Sequence, residues 1–251
     1  MRIKHLLLGG LLCVAAMVSA HDFTVVIDAG HGGHDAGAVG KSGLQEKDLN
    51  LQVSRMLADS IKNVFPEVNV LLTRSTDVFI PLQGRADFVN RNDADLFICI
   101  HTNAAENRSA CGAETYILGT DRMEDNLDVA MRENAVMKLE EGFETTYEGF
   151  DPNSVDSYIM FELLQNQYMS GSLQFATLVQ KEFTQTLHRS DRGVRQAAFW
   201  VLLKSACPSV LVEMGFISNP DEEKYLGSAK GKRDMVAALF TAFQSFYNKT
   251  K

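Results

Sequence analysis

Four side chains in this sequence have types and spacings that could hold a metal ion and use it. His31, in VVIDAGHGGHDAG, and His101, in CIHTNA, each follow a short apolar run, as does Glu213 in SVLVEMGF; Glu46, in SGLQEKDLN, opens a stretch of helical periodicity. Two imidazoles and one carboxylate make up the three-ligand set of a catalytic zinc ion, with a fourth position open to water. A further carboxylate beside such an ion serves as general base toward the water and then as acid toward a leaving nitrogen. Glu213 suits that task, because a carboxylate ending the apolar run Val-Leu-Val is at least partly buried and costs several kcal/mol unless a cation or a proton meets it.

The glycines around His31 support the same grouping. A plain turn needs one or two glycines to reach positive φ, whereas Gly30, Gly32 and Gly33 let the backbone fold beneath an ion and admit a substrate closely. His34 lies on the same loop and is the rival ligand. His31 is preferred, since it is held between Gly30 and Gly32 directly past an apolar run, while His34 with Asp35 suits an outer position. Taken singly, each residue has a structural explanation: a loop histidine, or for Glu46 a first-turn carboxylate favoured by the helix dipole. His188 has no partner motif and reads as a surface residue.

Bringing these residues together requires strands that end side by side. Strand-like runs stand at 23–27, 68–73, 95–100, 113–118, 199–203 and 209–214, and helix-like runs at 46–65, 81–92, 172–188 and 233–247. This alternation predicts an α/β fold of parallel strands joined by crossover helices. In such a sheet ligands collect beyond the carboxyl ends of the strands, where Asp28, His31, His101 and Glu213 fall. Leu49, Val53, Met56, Leu57, Ile61 and Val64 repeat at helical spacing, with Pro66 beyond them, which predicts an amphipathic helix covering one sheet face. The span from about 120 to 171 breaks the rhythm. Its residues 121–148 are acidic and rich in helix formers, so it reads as a helical insertion on the core domain.

The bulk properties bound the setting. Arg2 and Lys4 precede an apolar run and the small-residue site Val18-Ser19-Ala20, the pattern of a cleaved export signal over residues 1–20 that leaves a domain of 21–251. The leader carries two cations and no acid, so the formal charge of −8 becomes −10 after cleavage. No basic face for nucleic acid or an anionic membrane is evident, and no later stretch has the roughly 20 apolar residues of a membrane span. Three cysteines follow the leader, Cys99, Cys111 and Cys207, too few and too odd in number for a disulfide scaffold. Cys99, in LFICI, reads as a buried small hydrophobe.

Six segments, VVIDAGHGGHDAGAVG, EKDLNL, LLTRSTDVFIPLQGRADFVN, ICIHTNA, GVRQAAFWVL and PSVLVEMGFISNPDEEKYL, lie in order along nearly the whole chain after the leader. In them the sequence resembles zinc-dependent N-acetylmuramoyl-L-alanine amidases of the periplasmic cell-division type. The resemblance implies a mixed, mostly parallel twisted sheet with helices on both faces. It also implies one Zn2+ on His31, Glu46 and His101, with Glu213 as the catalytic glutamate. The reaction implied is hydrolysis of the amide joining N-acetylmuramic acid to the L-alanine of the peptidoglycan stem peptide, in wall remodelling and daughter-cell separation. Ala29 departs from the proline common at its position, and Cys99 from serine.

The same resemblance assigns Arg74, Asp77 and Arg85 to fixing loops around the cleft, and Asn103 to hydrogen bonding with substrate. In such amidases a helix of the insertion covers the cleft, a carboxylate fills the open metal position, and a LytM-domain activator displaces it. Glu140, Glu141 and Glu144 are the candidates here, against a merely solvated helix. The expected location is the periplasm or the cell wall, without integral membrane contact. The competing readings are a zinc carboxypeptidase on the same scaffold and a catalytically silent wall-binding module.

Overall fold

The computed structural model describes residues 22–119, 123–159 and 167–251. The leader expected over residues 1–20 lies outside them, as do parts of the 120–171 span. Six strands form one sheet: β1 (Thr24–Ala29), β2 (Asn69–Leu72), β3 (Leu96–Asn103), β4 (Ala113–Leu118), β5 (Asp191–Ala197) and β6 (Ser209–Phe216). They run in the order β2-β1-β3-β6-β4-β5. Every neighbouring pair is parallel except β4 and β6, so the sheet is mixed and mostly parallel, as expected.

Side chains alternate between the two faces of each strand, and both faces are covered. Val25, Ile27, Ile98, Ile100, Val210 and Val212 pack with Leu49, Val53, Leu57 and Ile61 of α1 (Glu46–Val64). Phe175 and Val179 of α6 (Met169–Lys181) and Leu239 and Phe243 of α9 (Ala229–Thr250) complete that layer. Val26, Phe97, Cys99, Tyr116 and Leu211 face the opposite cluster, with Val89 of α2 (Leu82–Arg91) and Trp200 of α7 (Trp200–Leu203).

The span expected as an insertion contributes to that second layer. Its described residues comprise α3 (Met123–Asn134), a 3-10 turn over Ala135–Leu139, α4 (Phe143–Thr146), α5 (Val155–Ile159) and the start of α6. Ala130, Met137, Tyr147, Phe150 and Tyr158 are buried in the second core cluster. The rings of Tyr147 and Phe150 lie 5.0 and 5.3 Å from Trp200. The segment is therefore anchored by aromatic packing close to the carboxyl edge of the sheet.

Two sequence expectations are corrected. Of residues 199–203, read as a strand, Trp200–Leu203 form α7 with Phe199 as its cap, because a short run buried on nearly every side gives no periodicity to separate helix from strand. The fifth strand is instead Asp191–Ala197, whose residues DRGVRQA are half-exposed and polar. It is an edge strand, where charged side chains are the rule, and an apolar pattern search passes over it. A further helix, α8 (Pro220–Gly227), begins after Asn219, whose side chain accepts from the Asp221 and Glu222 N–H groups, with Pro220 in the first turn.

Candidate active site

The loop after β1 is held from below. Arg74 donates to the carbonyls of Ala29, Gly30 and Lys47. Arg85 donates to Asp28 at 2.7 Å and to the carbonyls of Ala29 and His31, and Asp77 accepts from Gly33 N–H and Lys47. His31 takes φ +63°, a left-handed conformation that few non-glycine residues adopt. Two glycines make room for the site: a Cβ on Gly30 would meet the His101 ring at 2.3 Å, and one on Gly37 would meet His31 Cδ2 at 2.6 Å and Glu46 Oε2 at 2.7 Å. His34 is exposed and its ring packs on Phe79.

His31, from the β1 loop, Glu46, from the first turn of α1, and His101, near the end of β3, come together as the sequence suggested. A fourth group joins them that sequence reasoning missed: Glu133, near the end of α3. His31 Nε2 lies 3.3 Å from Glu46 Oε1 and 3.2 Å from Glu133 Oε2. His101 Nδ1 lies 3.2 Å from the same two oxygens. Four donor atoms thus lie within 4.8 Å of one another.

These separations suit a metal ion. A tetrahedron with metal–ligand bonds of about 2.0–2.1 Å has edges of about 3.3 Å. His31 Nε2 and Glu133 Oε2 are buried and close, yet neither makes a hydrogen bond, as expected of groups aimed at a shared point rather than at each other. The outer contacts fix the donors. Asp35 Oδ2 lies 2.8 Å from His31 Nδ1, which turns Nε2 inward. Glu46 Oε1 accepts from Thr102 N–H at 2.9 Å and Asn50 at 3.2 Å, and its Oε2 accepts from Ala38 N–H at 2.9 Å.

Ligand atoms of His101, Cys99 and Asp28 lie within 4.8 Å of one another, and the Cys99 thiol donates to Asp28 Oδ2 at 3.0 Å; Asp28 also accepts from Thr73. Burial beside Asp28 pushes the Cys99 thiol up to about 12, so it stays a donor. Cys99 and Cys207 are buried, Cys111 is exposed, and all three are free.

Burial opposes a charged imidazole at His31, but Glu46, Asp35 and Glu133 outweigh it and raise its pKa well above the ordinary histidine value. Against the same burial, Cys99 and Glu133 raise His101. Burial equally opposes ionisation of Glu46 and Glu133, yet His31 and His101 hold Glu46 low, and Arg132 and His101 hold Glu133 low. The cluster therefore carries concentrated negative charge that a divalent cation or imidazolium protons must answer.

Glu213, on β6 and in register with His101, is fully buried and both its oxygens lack hydrogen-bond partners. Burial and then the Glu133 charge push its carboxyl well above the usual range. Arg132 Nη2 approaches it to 4.0 Å. Arg132 also donates to Glu133 Oε1 at 3.0 Å, to the Ala104 carbonyl at 2.7 Å and to Asn103 Oδ1 at 2.9 Å.

The carboxylate of the 120–171 span that enters the site is thus Glu133, which corrects the choice of Glu140, Glu141 and Glu144. Glu140 accepts from Leu82 N–H and the Tyr147 hydroxyl, while Glu141 and Glu144 are exposed. Glu133 lies one residue before the end of α3, and Glu140, Glu141 and Glu144 lie beyond the 3-10 turn that follows it. Asn103 is committed within the protein on both sides of its amide, donating to Glu114 at 2.5 Å and accepting from Arg132.

Imidazoles and carboxylates meeting at the carboxyl edge of a mostly parallel sheet, with an unpartnered buried glutamate beside them, define an α/β protein with a hydrolase-type site. More narrowly, the chain belongs to the N-acetylmuramoyl-L-alanine amidase family, whose model matches residues 25–245. The amidase AmiA of Escherichia coli K12 is 32% identical over 226 residues, covering 89% of this chain and 76% of AmiA. Among solved structures, an N-acetylmuramoyl-L-alanine amidase from Clostridium difficile 630 matches with TM-score 0.68 at 27% identity, over 91% of this chain and 98% of that one. The amidase AmiC2 of Nostoc punctiforme matches with TM-score 0.67 at 26% identity, over 91% and 98%.

Proposed function

We propose that the protein cleaves the amide between N-acetylmuramic acid and the L-alanine of the peptidoglycan stem peptide, with one zinc ion held by His31, Glu46 and His101 and with Glu213 as general base. The observation that carries this reading is the set of 3.2–3.3 Å separations among buried donor atoms. A zinc ion there supplies Lewis-acid activation of the attacking water and the scissile carbonyl. The chain's own residues do the remainder. Asp35 keeps His31 Nε2 inward, and Thr102, Asn50 and Ala38 hold the Glu46 carboxylate still. Glu213 takes the proton from the water and passes it to the leaving nitrogen of L-alanine.

In the closed arrangement Glu133 stands where the water must bind, so α3 is an inhibitory cover. Its withdrawal has two effects. The fourth donor position is freed, and Glu213, buried beneath α3, is opened to water and substrate. A LytM-domain activator is the partner suited to displace the cover, and the leader directs the protein to the periplasm or cell wall. Among the described residues no helix is long and apolar enough to cross a membrane.

The test is mass spectrometry of products after the zinc-loaded full chain, and separately its Glu133→Ala variant, act on isolated peptidoglycan. Free stem peptides beginning with L-alanine, with unsubstituted glycan, are expected. Shortened peptides still on muramic acid would assign a peptidase instead, and zinc-loaded protein yielding no product in either form would leave a silent module.

A further inference from the structure

The carboxyl edge of the sheet carries a second group of charges beside the donors. β4 runs antiparallel to β6 with Glu114 directly opposite Glu213, and β5 lies on the far side of β4. Glu114 is 1% exposed. Its Oε2 accepts from Arg192 Nε at 3.0 Å and lies 3.2 Å from Arg195 Nε. One buried carboxylate therefore faces two guanidinium groups, where one would neutralise it.

Each arginine is held within the fold through part of its guanidinium and keeps the rest partly exposed. Arg192 rests its guanidinium over the Phe216 ring at 4.7 Å and bonds Glu114 through Nε. Arg195 donates from Nε to the Arg192 carbonyl at 3.1 Å and from Nη1 to Asn126 at 2.8 Å. Their side chains are 33% and 29% exposed and line a cleft of about 760 Å³ shared with Asn103, Tyr116 and Arg132. Arg132 is answered by Glu133. The other acids of the cleft, Glu106 and Asp128, are exposed, and neither is bonded to this arginine pair.

Distance relates the cleft to the chemistry. Adjacent strands are about 4.8 Å apart, so β5 lies two spacings, about 10 Å, from Glu213 on β6, and an extended peptide covers that in about three residues. Guanidinium groups match carboxylates in a two-point geometry that lysine cannot reproduce. We propose that Arg192 and Arg195 form a subsite for a carboxylate on the peptide arm of the substrate, within three residues of the scissile amide. This rests on the amidase reading above and names which part of the substrate the protein selects.

The experiment compares two soluble muramoyl peptides that differ only in whether the carboxylates of the peptide arm are free or amidated. Both are assayed with the zinc-loaded full chain and with an Arg192→Gln/Arg195→Gln variant, each also carrying Glu133→Ala and, so that no unpaired guanidinium is left in the cleft, Arg132→Ala. The free-acid peptide is expected to show a KM at least tenfold lower than the amidated one. The double variant is expected to lose that preference while keeping kcat on the amidated peptide, which also shows that it folds. Arg192→Lys is expected to fall between, since charge without the planar fork restores only part of the preference.

Equal kcat/KM for the two peptides, or a preference that survives in the double variant, would overturn the subsite and leave the amidase reading intact. Cleavage of neither peptide would overturn the amidase reading. In that case calorimetric titration with the acidic stem peptide alone decides the subsite, which is lost if the double variant binds it as tightly as the parent.

Discussion

Replacing Glu133 with alanine is the perturbation that bears most directly on the closed site. Its carboxylate is 6% exposed, lies 3.2 Å from both imidazoles and receives Arg132 at 3.0 Å. Removing one partner of a buried charge pair costs about 3–5 kcal/mol. Because Arg132 is 37% exposed, solvent screens that side of the pair and the lower end, about 3 kcal/mol, is appropriate. At about 1.4 kcal/mol per factor of ten, the open arrangement should rise about 100-fold in population relative to the closed one. The expected outcome is an increase of about that size in the rate of stem-peptide release from isolated peptidoglycan. The rate should be followed by dye release or product chromatography, with zinc content and melting temperature measured in parallel. A zinc-loaded, folded Glu133→Ala protein with a rate within twofold of wild type would refute the argument that α3 restrains the enzyme.

Other expectations follow from the same geometry. Glu213→Gln should lower kcat by about 10²- to 10⁴-fold, the usual weight of a general base, while the zinc stoichiometry measured by metal analysis stays unchanged. Gly37→Ala places a methyl group 2.6 Å from the His31 ring at φ +62°, and competition with a chromophoric chelator should show zinc affinity at least tenfold weaker, with the secondary-structure signal retained. In the metal-free protein His31 and His101 are raised well above 6.5. The stability they contribute as imidazolium groups is therefore fully present below about pH 6.5 and is lost as pH rises through their folded values. Zinc requires the neutral imidazoles, so the gap in melting temperature between zinc-loaded and metal-free protein should widen from pH 6 to pH 9. A gap that narrows over that range would count against histidine ligation.

The parts of this molecule legible in the sequence are those carried by local pattern. Val25, Ile27, Ile98, Ile100, Val210 and Val212 lie in runs apolar enough to mark central parallel strands buried on both faces, and α1 shows its buried stripe residue by residue. His31, Glu46, His101 and Glu213 were identifiable because each follows an apolar run or opens a helix, and topology brings such termini to one edge. Where periodicity is absent the reading failed: β5 is polar because it is an edge strand, and α7 is a one-turn helix buried on nearly every side. The N-cap of α8, Asn219 before Pro220 and three acids, was a readable signal that strand-and-helix counting passed over.

The sequence by itself determined that an α/β sheet would present two imidazoles and two carboxylates at its carboxyl end, because residue type, hydrophobic run and terminus position are properties of short segments. Only the tertiary structure decided that the carboxylate of the 120–171 span lying among the donors is Glu133 rather than Glu140, Glu141 or Glu144, and that Arg192 and Arg195 share Glu114 beside Glu213. Both facts depend on where the end of α3 and the edge strand β5 come to rest against β3, β4 and β6. That placement is set by the long-range burial of Ala130, Met137, Tyr147, Phe150, Tyr158 and Trp200 in one layer, not by any local propensity.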